Sequence, residues 1–395
     1  MKARPLNIPF FTPGVWIVFS LALIGASAYL YRMFFGLAEA TNLTNSYPWG
    51  IWIAIDVASG VALAAGGFTS AALAEIFHRE KYHVILRPAL LTAMLGYTFV
   101  VIGLLADLGR YYNVWHPMIP TMWQGNSVLF EVGLCVMAYL NVLYSEFAPI
   151  VVDRFKGKVT FKNEYLRQKT EGLLTFLDKF FRKILWVLII AGVVLSCLHQ
   201  SSLGTLMLIA PTKIHPLWYT PISPLLFWLS AVAVGYPMVI FESLLASKSF
   251  GIKPETHVLS SLAKIIPFTV GFYFAAKVID ITIREAWPFV GEGSLQSYMF
   301  IFEMALFAIP LILLTQEKIR QSVRGLFISS ALVVSGVVIN RINVFLIAYH
   351  PPYTEEIYLP SIYEIAVTVG LICALVLVYR FLTINLPIVT IEDGE

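Results

Sequence analysis

Ten apolar runs recur along the chain, near residues 14–35, 50–76, 87–107, 127–150, 184–201, 222–247, 258–280, 297–315, 325–347 and 361–383. Short segments rich in Pro, Gly, Asn and charged residues separate them. One longer polar stretch runs from Asp153 to Lys183. An apolar stretch of about 20 residues crosses the ~30 Å hydrocarbon core of a bilayer as a helix, because lipid offers no partner to backbone N–H and C=O groups. The pattern predicts an all-α polytopic membrane protein of about ten transmembrane helices, arranged as two four-helix bundles plus two peripheral helices. In the polar stretch, Leu173, Leu174, Phe176, Leu177, Phe180 and Phe181 recur at helical spacing among charges, as in a surface helix. The expected organisation is residues 1–153 with helices one to four, 154–183 as a basic loop or surface helix, and 184–395 with helices five to ten.

The composition excludes a water-soluble class. Of 395 residues, 58% are hydrophobic and 13% charged, against about 25% charged in an ordinary soluble domain. The net charge of +3 gives no reason to expect a nucleic-acid partner; the lipid bilayer is the expected surrounding. Lys2 and Arg4 before an apolar run reaching Ala26-Ser27-Ala28 imitate a secretion signal. The run from Gly14 to Phe35 is long for a signal core and fits a first span. Cys135, Cys197 and Cys373 are isolated, so the chain has no CxxC pattern for an iron–sulfur cluster or a zinc site.

The distribution of positive charge sets an orientation. The stretch 153–183 carries Arg154, Lys156, Lys158, Lys162, Arg167, Lys169, Lys179, Arg182 and Lys183. The N-terminus and the other even-numbered loops are also basic. The odd-numbered loops carry only Arg110, Lys213 and Arg284. The positive-inside rule then places both termini and residues 153–183 in the cytoplasm.

Ionisable groups within spans are costly, and so are candidates for function. On this topology Asp56, Asp107, Arg110, Glu131 and Arg32 lie toward the outer face, on helices one to four. Carboxylates and an arginine at such a boundary can pair, or can exchange protons as a bound redox molecule changes charge. Trp49, Trp52, Tyr111, Tyr112, Trp115 and Trp123 share that level; they can wall a flat aromatic ligand or form the interfacial belt common to membrane proteins. Lys277, Asp280, Glu303, Arg341 and Glu364 repeat the theme in the second half, where mutual structural pairing is the simpler reading. Glu75, Glu146, Glu242 and Lys264 lie toward the cytoplasm, as an inner proton path or as interfacial caps. The segments opening helices four and eight, Ser127 to Glu131 and Ser297 to Glu303, echo one another, as two related bundles would or as chance allows.

A membrane haem b needs two histidines facing each other inside the helices. Of the seven histidines only His199 falls within a span, so no haem is expected in this chain. His199-Gln200-Ser201-Ser202 reads as a polar cluster at the outer surface, able to bond a ligand or cap the helix.

At these residues the chain resembles a known family. The segments are Tyr47-Pro48-Trp49-Gly50-Ile51-Trp52-Ile53-Ala54-Ile55-Asp56, Arg87-Pro88-Ala89-Leu90-Leu91, Asp107-Leu108-Gly109-Arg110-Tyr111-Tyr112-Asn113, Asn126 to Glu131, Glu146-Phe147-Ala148-Pro149, His199 to Gly204, and His215-Pro216-Leu217-Trp218. Together they are similar to the NrfD/PsrC family of membrane subunits, in its HybB-like branch, which includes the membrane subunit of certain nickel–iron hydrogenases and the DsrP subunit. The resemblance implies a ten-helix, haem-free subunit in a prokaryotic cytoplasmic membrane. It implies a menaquinone or other quinone bound near the outer face, and a ferredoxin-like iron–sulfur subunit docked outside within a larger complex of catalytic or cytochrome subunits. By carry-over, Asp56, Asp107, Arg110, Glu131 and His199 are the quinone-site and proton-exchange residues, with Trp49, Trp52 and Tyr112 as walls.

Three functions are compatible with the chain. The first is a quinone-reactive redox subunit, the second a secondary transporter, and the third a passive anchor. Transporters place polar sites near the bilayer midplane between broken helices, whereas here the polar groups crowd toward one face. That favours the first.

Overall fold

In the computed structural model, described over residues 2–6, 8–160 and 162–391, ten helices are long and apolar enough to cross a membrane. They are α1 (Pro13–Phe35), α2 (Trp52–Ile76), α3 (Glu80–Asp107), α4 (Val128–Phe155), α5 (Glu164–Ile209), α6 (Ser223–Phe250), α7 (Thr256–Ile283), α8 (Leu295–Leu313), α9 (Val323–Ile347) and α10 (Ile362–Asn385). The expected spans coincide with these within about five residues, except that the third begins at Glu80 rather than at residue 87 and that the fifth is much longer. Residues 164–183, expected as a basic loop or surface helix, form the first turns of α5 itself. The Asn163 side chain caps it by accepting from Tyr165 and Leu166 N–H, and nothing in the next 40 residues breaks the backbone ladder.

Helix ends follow local chemistry. Ser127, Ser294, Ser322 and Ser361 each accept a bond from a backbone N–H of the first turn of α4, α8, α9 and α10. Gly251, in a left-handed conformation at φ 70°, stops α6. A two-stranded antiparallel sheet, β1 (Lys2–Arg4) with β2 (Val389–Ile391), ties the chain ends together in the register Ala3 to Thr390.

Helices α2–α5 pack as one four-helix group and α6–α9 as a second, with α2 lying against α6 between them. The pair α1 and α10 packs on the flank of α3 and α2. Gly25 and Gly370 let that pair approach closely: a Cβ on Gly25 would sit 2.3 Å from the Gly370 Cα, the small-residue contact typical of membrane helices. Large apolar side chains such as Phe34, Phe272 and Ile312 stand exposed around the perimeter, as lipid-facing surface requires.

All odd-numbered helix connections from the first group onward lie at one end, here called the far end. The termini, the sheet and the start of α5 lie at the other, the basic end.

Candidate functional site

The far end of α2 is not a regular α-helix. Residues Trp52–Ser59 form a π-helical turn, with the Ser59 hydroxyl donating to the Ala54 carbonyl at 2.8 Å. Such turns arise where a side chain must be re-aimed, and they concentrate at functional sites. Asp56 sits in this segment and is buried. It packs on Gly103 of α3, where a Cβ would come 2.8 Å from the Asp56 Cβ. Its Oδ2 accepts one bond, from the Thr368 hydroxyl of α10, at 2.6 Å. Among the described residues no cation lies within 4 Å of it.

Asp107 ends α3, and its Oδ1 is buried without a hydrogen-bond partner. The expected pair with Arg110 does not form: Arg110 is exposed, because the chain leaves the helix at Leu108 and turns it outward. The buried arginine at this level is Arg32. Its Nε donates to the Ala106 carbonyl and a terminal nitrogen donates to the Leu108 carbonyl, each at 2.6 Å. These are among the carbonyls that a helix C-terminus leaves unpaired. Arg32 therefore fastens α1 to the end of α3 and acts on Asp107 through space. Its guanidinium lies 5.6 Å from the Tyr111 ring centre.

Glu131 does not converge with Asp56. It is exposed on α4 and accepts from the Ser202 hydroxyl of α5 at 2.9 Å, whereas Asp56 faces α3 and α10. The five groups expected on one face are thus divided: Asp56, Asp107 and Arg32 sit where α1, α2, α3 and α10 meet, Glu131 sits at the α4–α5 seam, and Arg110 is exposed. His199 is also placed differently from expectation. It neither caps α5, which continues to Ile209, nor lies at a surface. It is fully buried with Gln200. Its Nδ1 meets the Tyr97 hydroxyl at 3.1 Å, and its Nε2 has no partner. The signal for this contact was faint, since Tyr97 reads from sequence as one more aromatic in an apolar run.

The aromatics separate as well. Trp52 is buried and donates from Nε1 to the Glu364 carbonyl at 3.1 Å, beside Asp56. Trp49 packs on Tyr349 and Phe345, toward the second helix group. Tyr112 is exposed and touches Tyr111.

The remaining buried carboxylates provide the contrast. Glu303 accepts from Lys277, from Asn340 (2.8 Å), from Asn343 (2.9 Å) and from Trp218 (2.9 Å). Glu364 accepts from Tyr358 and from the Asn42 and Ser361 backbone N–H groups at 3.0 and 2.8 Å, closing a capping box on α10. Asp280 accepts from Thr220 at 2.5 Å and from Arg284 at 2.7 Å. These three are saturated, as structural carboxylates are. The pairing expected in the second half is present for Lys277 with Glu303, while Arg341 instead donates to Asn340 and Ser230. Asp56 and Asp107 keep unused acceptor capacity in an apolar wall. Of the residues expected toward the basic end, Glu146 is buried and Glu242 has a buried oxygen without a partner. Glu75 pairs with His83 near the surface and Lys264 is exposed.

Among the described residues no three His, Cys, Asp or Glu groups are placed to hold a metal ion. This is an integral membrane protein with ten helices among its described residues long enough to cross a bilayer, and Asp56 and Asp107 are the underbonded acids at its far end. It belongs to the NrfD family: residues 39–350 match the family described as polysulphide reductase, NrfD. The chain is 31% identical to the probable Ni/Fe-hydrogenase 2 b-type cytochrome subunit of Escherichia coli, over 98% of this chain and 95% of that one. It is 26% identical to the integral membrane subunit of menaquinone reductase from Nitratidesulfovibrio vulgaris, over 94% and 91%. It is 21% identical to the integral membrane subunit of an Hdr-like menaquinol oxidoreductase from Archaeoglobus fulgidus, over 92% and 90%.

The first of these names implies a haem b, which the residues here do not fit. His199 is the sole histidine buried in a span among the described residues. His83 is exposed at the start of α3, His257 is exposed at the start of α7, and His78, His116, His215 and His350 lie in connections. No second histidine faces His199 to complete an axial pair.

Proposed function

We propose that this chain is the quinone-reactive membrane subunit of a multi-subunit redox complex. It exchanges two electrons between a membrane quinone, of the menaquinone class, and an iron–sulfur protein docked on its far end. The far end faces outward and both termini face the cytoplasm, in keeping with the basic residues gathered at the termini and in residues 153–183. The observation that carries the reading is the state of Asp56. Among the described residues it is buried in a π-helical turn with one hydrogen-bond donor and no cation within 4 Å, whereas Glu303, Asp280 and Glu364 at the same end are saturated. Interconversion of quinol and quinone moves two protons with the two electrons. A carboxyl group with a free lone pair beside the ring can give or take one of them without breaking an ion pair. Asp107, with its unpartnered Oδ1, is the second such group, and Arg32 holds the α1–α3 corner in which both sit. Glu131 stands at the α4–α5 seam as a proton outlet. The indole of Trp52 forms a wall of the head-group site beside Asp56. Tyr112 and Arg110 are exposed and belong to the docking face, and Trp49 packs toward the second helix group rather than on a ring held there.

Photoaffinity labelling with an azidoquinone in the intact complex tests the placement. Label is expected in peptides holding residues 47–59 and 103–112. Label confined to peptides at the basic end, such as 83–91 or 146–156, would overturn it.

A further inference from the structure

At the basic end a cavity of about 530 Å³ opens between the first residues of the chain, the start of α3, the end of α4 and strand β2. That volume lies within the roughly 300–1,000 Å³ typical of small-molecule sites. Its wall carries Arg87, Arg154 and Lys158, with Asp153 as the one carboxylate among the described residues that line it. That carboxylate is already taken: Arg87 reaches one oxygen at 3.2 Å and Arg182 the other at 2.8 Å. Arg87 also donates to the Pro387 carbonyl at 2.9 Å, and Arg154 Nε to the Asn385 carbonyl at 2.8 Å. The end of α10 therefore holds both guanidinium groups in place. Among the described residues neither Arg154 nor Lys158 has a carboxylate within 4 Å.

We propose that this recess binds the phosphate-bearing head group of an anionic phospholipid. Arg154 and Lys158, cations without a carboxylate partner among the described residues, share one concavity with Arg87 and suit an anion, and arginine forks suit phosphate oxygens. The source of the phosphate follows from depth. Helices α3, α4 and α10 all end here, and Val84, Pro5 and Pro387 give the recess an apolar part. Phe176 and Phe180 of α5, stacked with ring centres 6.2 Å apart and both exposed, lie just before Arg182, which reaches Asp153. Phenylalanines on a helix that also carries exposed Lys179 and Lys183 form the amphipathic surface of an interfacial segment, and basic pockets between helices on the cytoplasmic side select anionic lipids. The pairing of β1 with β2 closes one wall, so the lipid also braces the two chain ends. None of this depends on the quinone assignment.

Native mass spectrometry of the delipidated full-length protein tests it, with added phosphatidylglycerol or phosphatidylcholine of the same acyl chains. One phosphatidylglycerol per chain is expected to survive, at about tenfold lower concentration than phosphatidylcholine. Lys158→Glu should weaken that retention several-fold, and Lys158→Glu with Arg154→Gln more so. Lys169→Glu, an exposed basic position elsewhere on α5, should leave it unchanged. Lys158 makes no side-chain hydrogen bond among the described residues, so the single variant reads binding without disturbing the fold. Equal retention of the two lipids, no loss in the Lys158→Glu protein, or an equal loss in the Lys169→Glu protein would each overturn the proposal. So would complete displacement of phosphatidylglycerol by millimolar inorganic phosphate, which would assign the recess to a soluble anion.

Discussion

Replacement of Glu303 by Leu removes the acceptor on which four donors converge, three from the second helix group and one from the α5–α6 connection. Lys277, 3% exposed, loses its counter-charge, and Asn340, Asn343 and the Trp218 indole lose their acceptor. Breaking a buried ion pair by removing one partner costs about 3–5 kcal/mol. Each buried donor left unmade costs about 1–3 kcal/mol. The losses overlap because all four donors share one carboxylate, so about 3–5 kcal/mol in total is expected rather than the sum. Replacing both members, Lys277→Met with Glu303→Leu, removes the orphaned charge and should restore about half of that. The assay is the fraction of monodisperse protein that survives a temperature series in detergent. The Glu303→Leu midpoint should fall by on the order of several degrees, the double variant should fall less, and Ile312→Ala on the exposed face of α8 should barely move. A Glu303→Leu midpoint equal to that of Ile312→Ala would refute the view that this cluster is structural.

Other expected outcomes follow from the same contacts. Arg32→Gln should impair quinone-linked turnover at least several-fold, because it frees the end of α3, whereas Arg110→Gln should leave turnover within about twofold; equal effects would show that the corner is not set by Arg32. Gly25→Ala should push α1 off α10 and destabilise the protein by about 1–3 kcal/mol, read in the same heating series; an unchanged midpoint would mean that the two helices can part without loss. His215 is half-buried in the α5–α6 connection, and burial holds its pKa below the usual 6.5, with its Nδ1 accepting from the Leu217 N–H at 3.3 Å. The unfolded segment therefore binds the proton first, and the stability that the neutral ring contributes is lost as pH falls below about 6.5. Hydrogen exchange in residues 213–219, corrected for its intrinsic rate, should rise between pH 7.5 and 5.5, and a flat profile would contradict this.

Much of the architecture was legible in the order of apolar and polar residues. Ten spans follow from run length, since only a helix satisfies its backbone in lipid, and the families of charge at the two ends follow from loop composition. The fifth span shows the limit. Its first 20 residues are too polar to read as membrane, yet an asparagine cap and an unbroken good helix former sequence carry one helix through. For the candidate site, the depth of Asp56, Asp107 and Glu131 was readable from topology, but their direction was not. A residue's azimuth depends on which neighbour its helix packs against, and a π-helical turn in α2 shifts that azimuth further. Hence Asp56 and Glu131 share a level but face different seams. The same cause hid Thr368 and Tyr97, partners supplied by helices far away in the chain. Arg110 and Arg32 exchanged roles for a simpler reason: the helix ends at Asp107, three residues before Arg110.

The measurement that bears most directly on the role of Asp56 is quinone-linked electron transfer by the intact complex carrying Asp56→Asn. The amide keeps the size of the side chain and an oxygen for Thr368 to bond, but it cannot carry the proton. Turnover with quinone should fall by about tenfold or more. Subunit composition and electron transfer from the partner subunits to an artificial acceptor should remain unchanged. Full quinone-linked turnover in that protein, with the complex assembled, would contradict it.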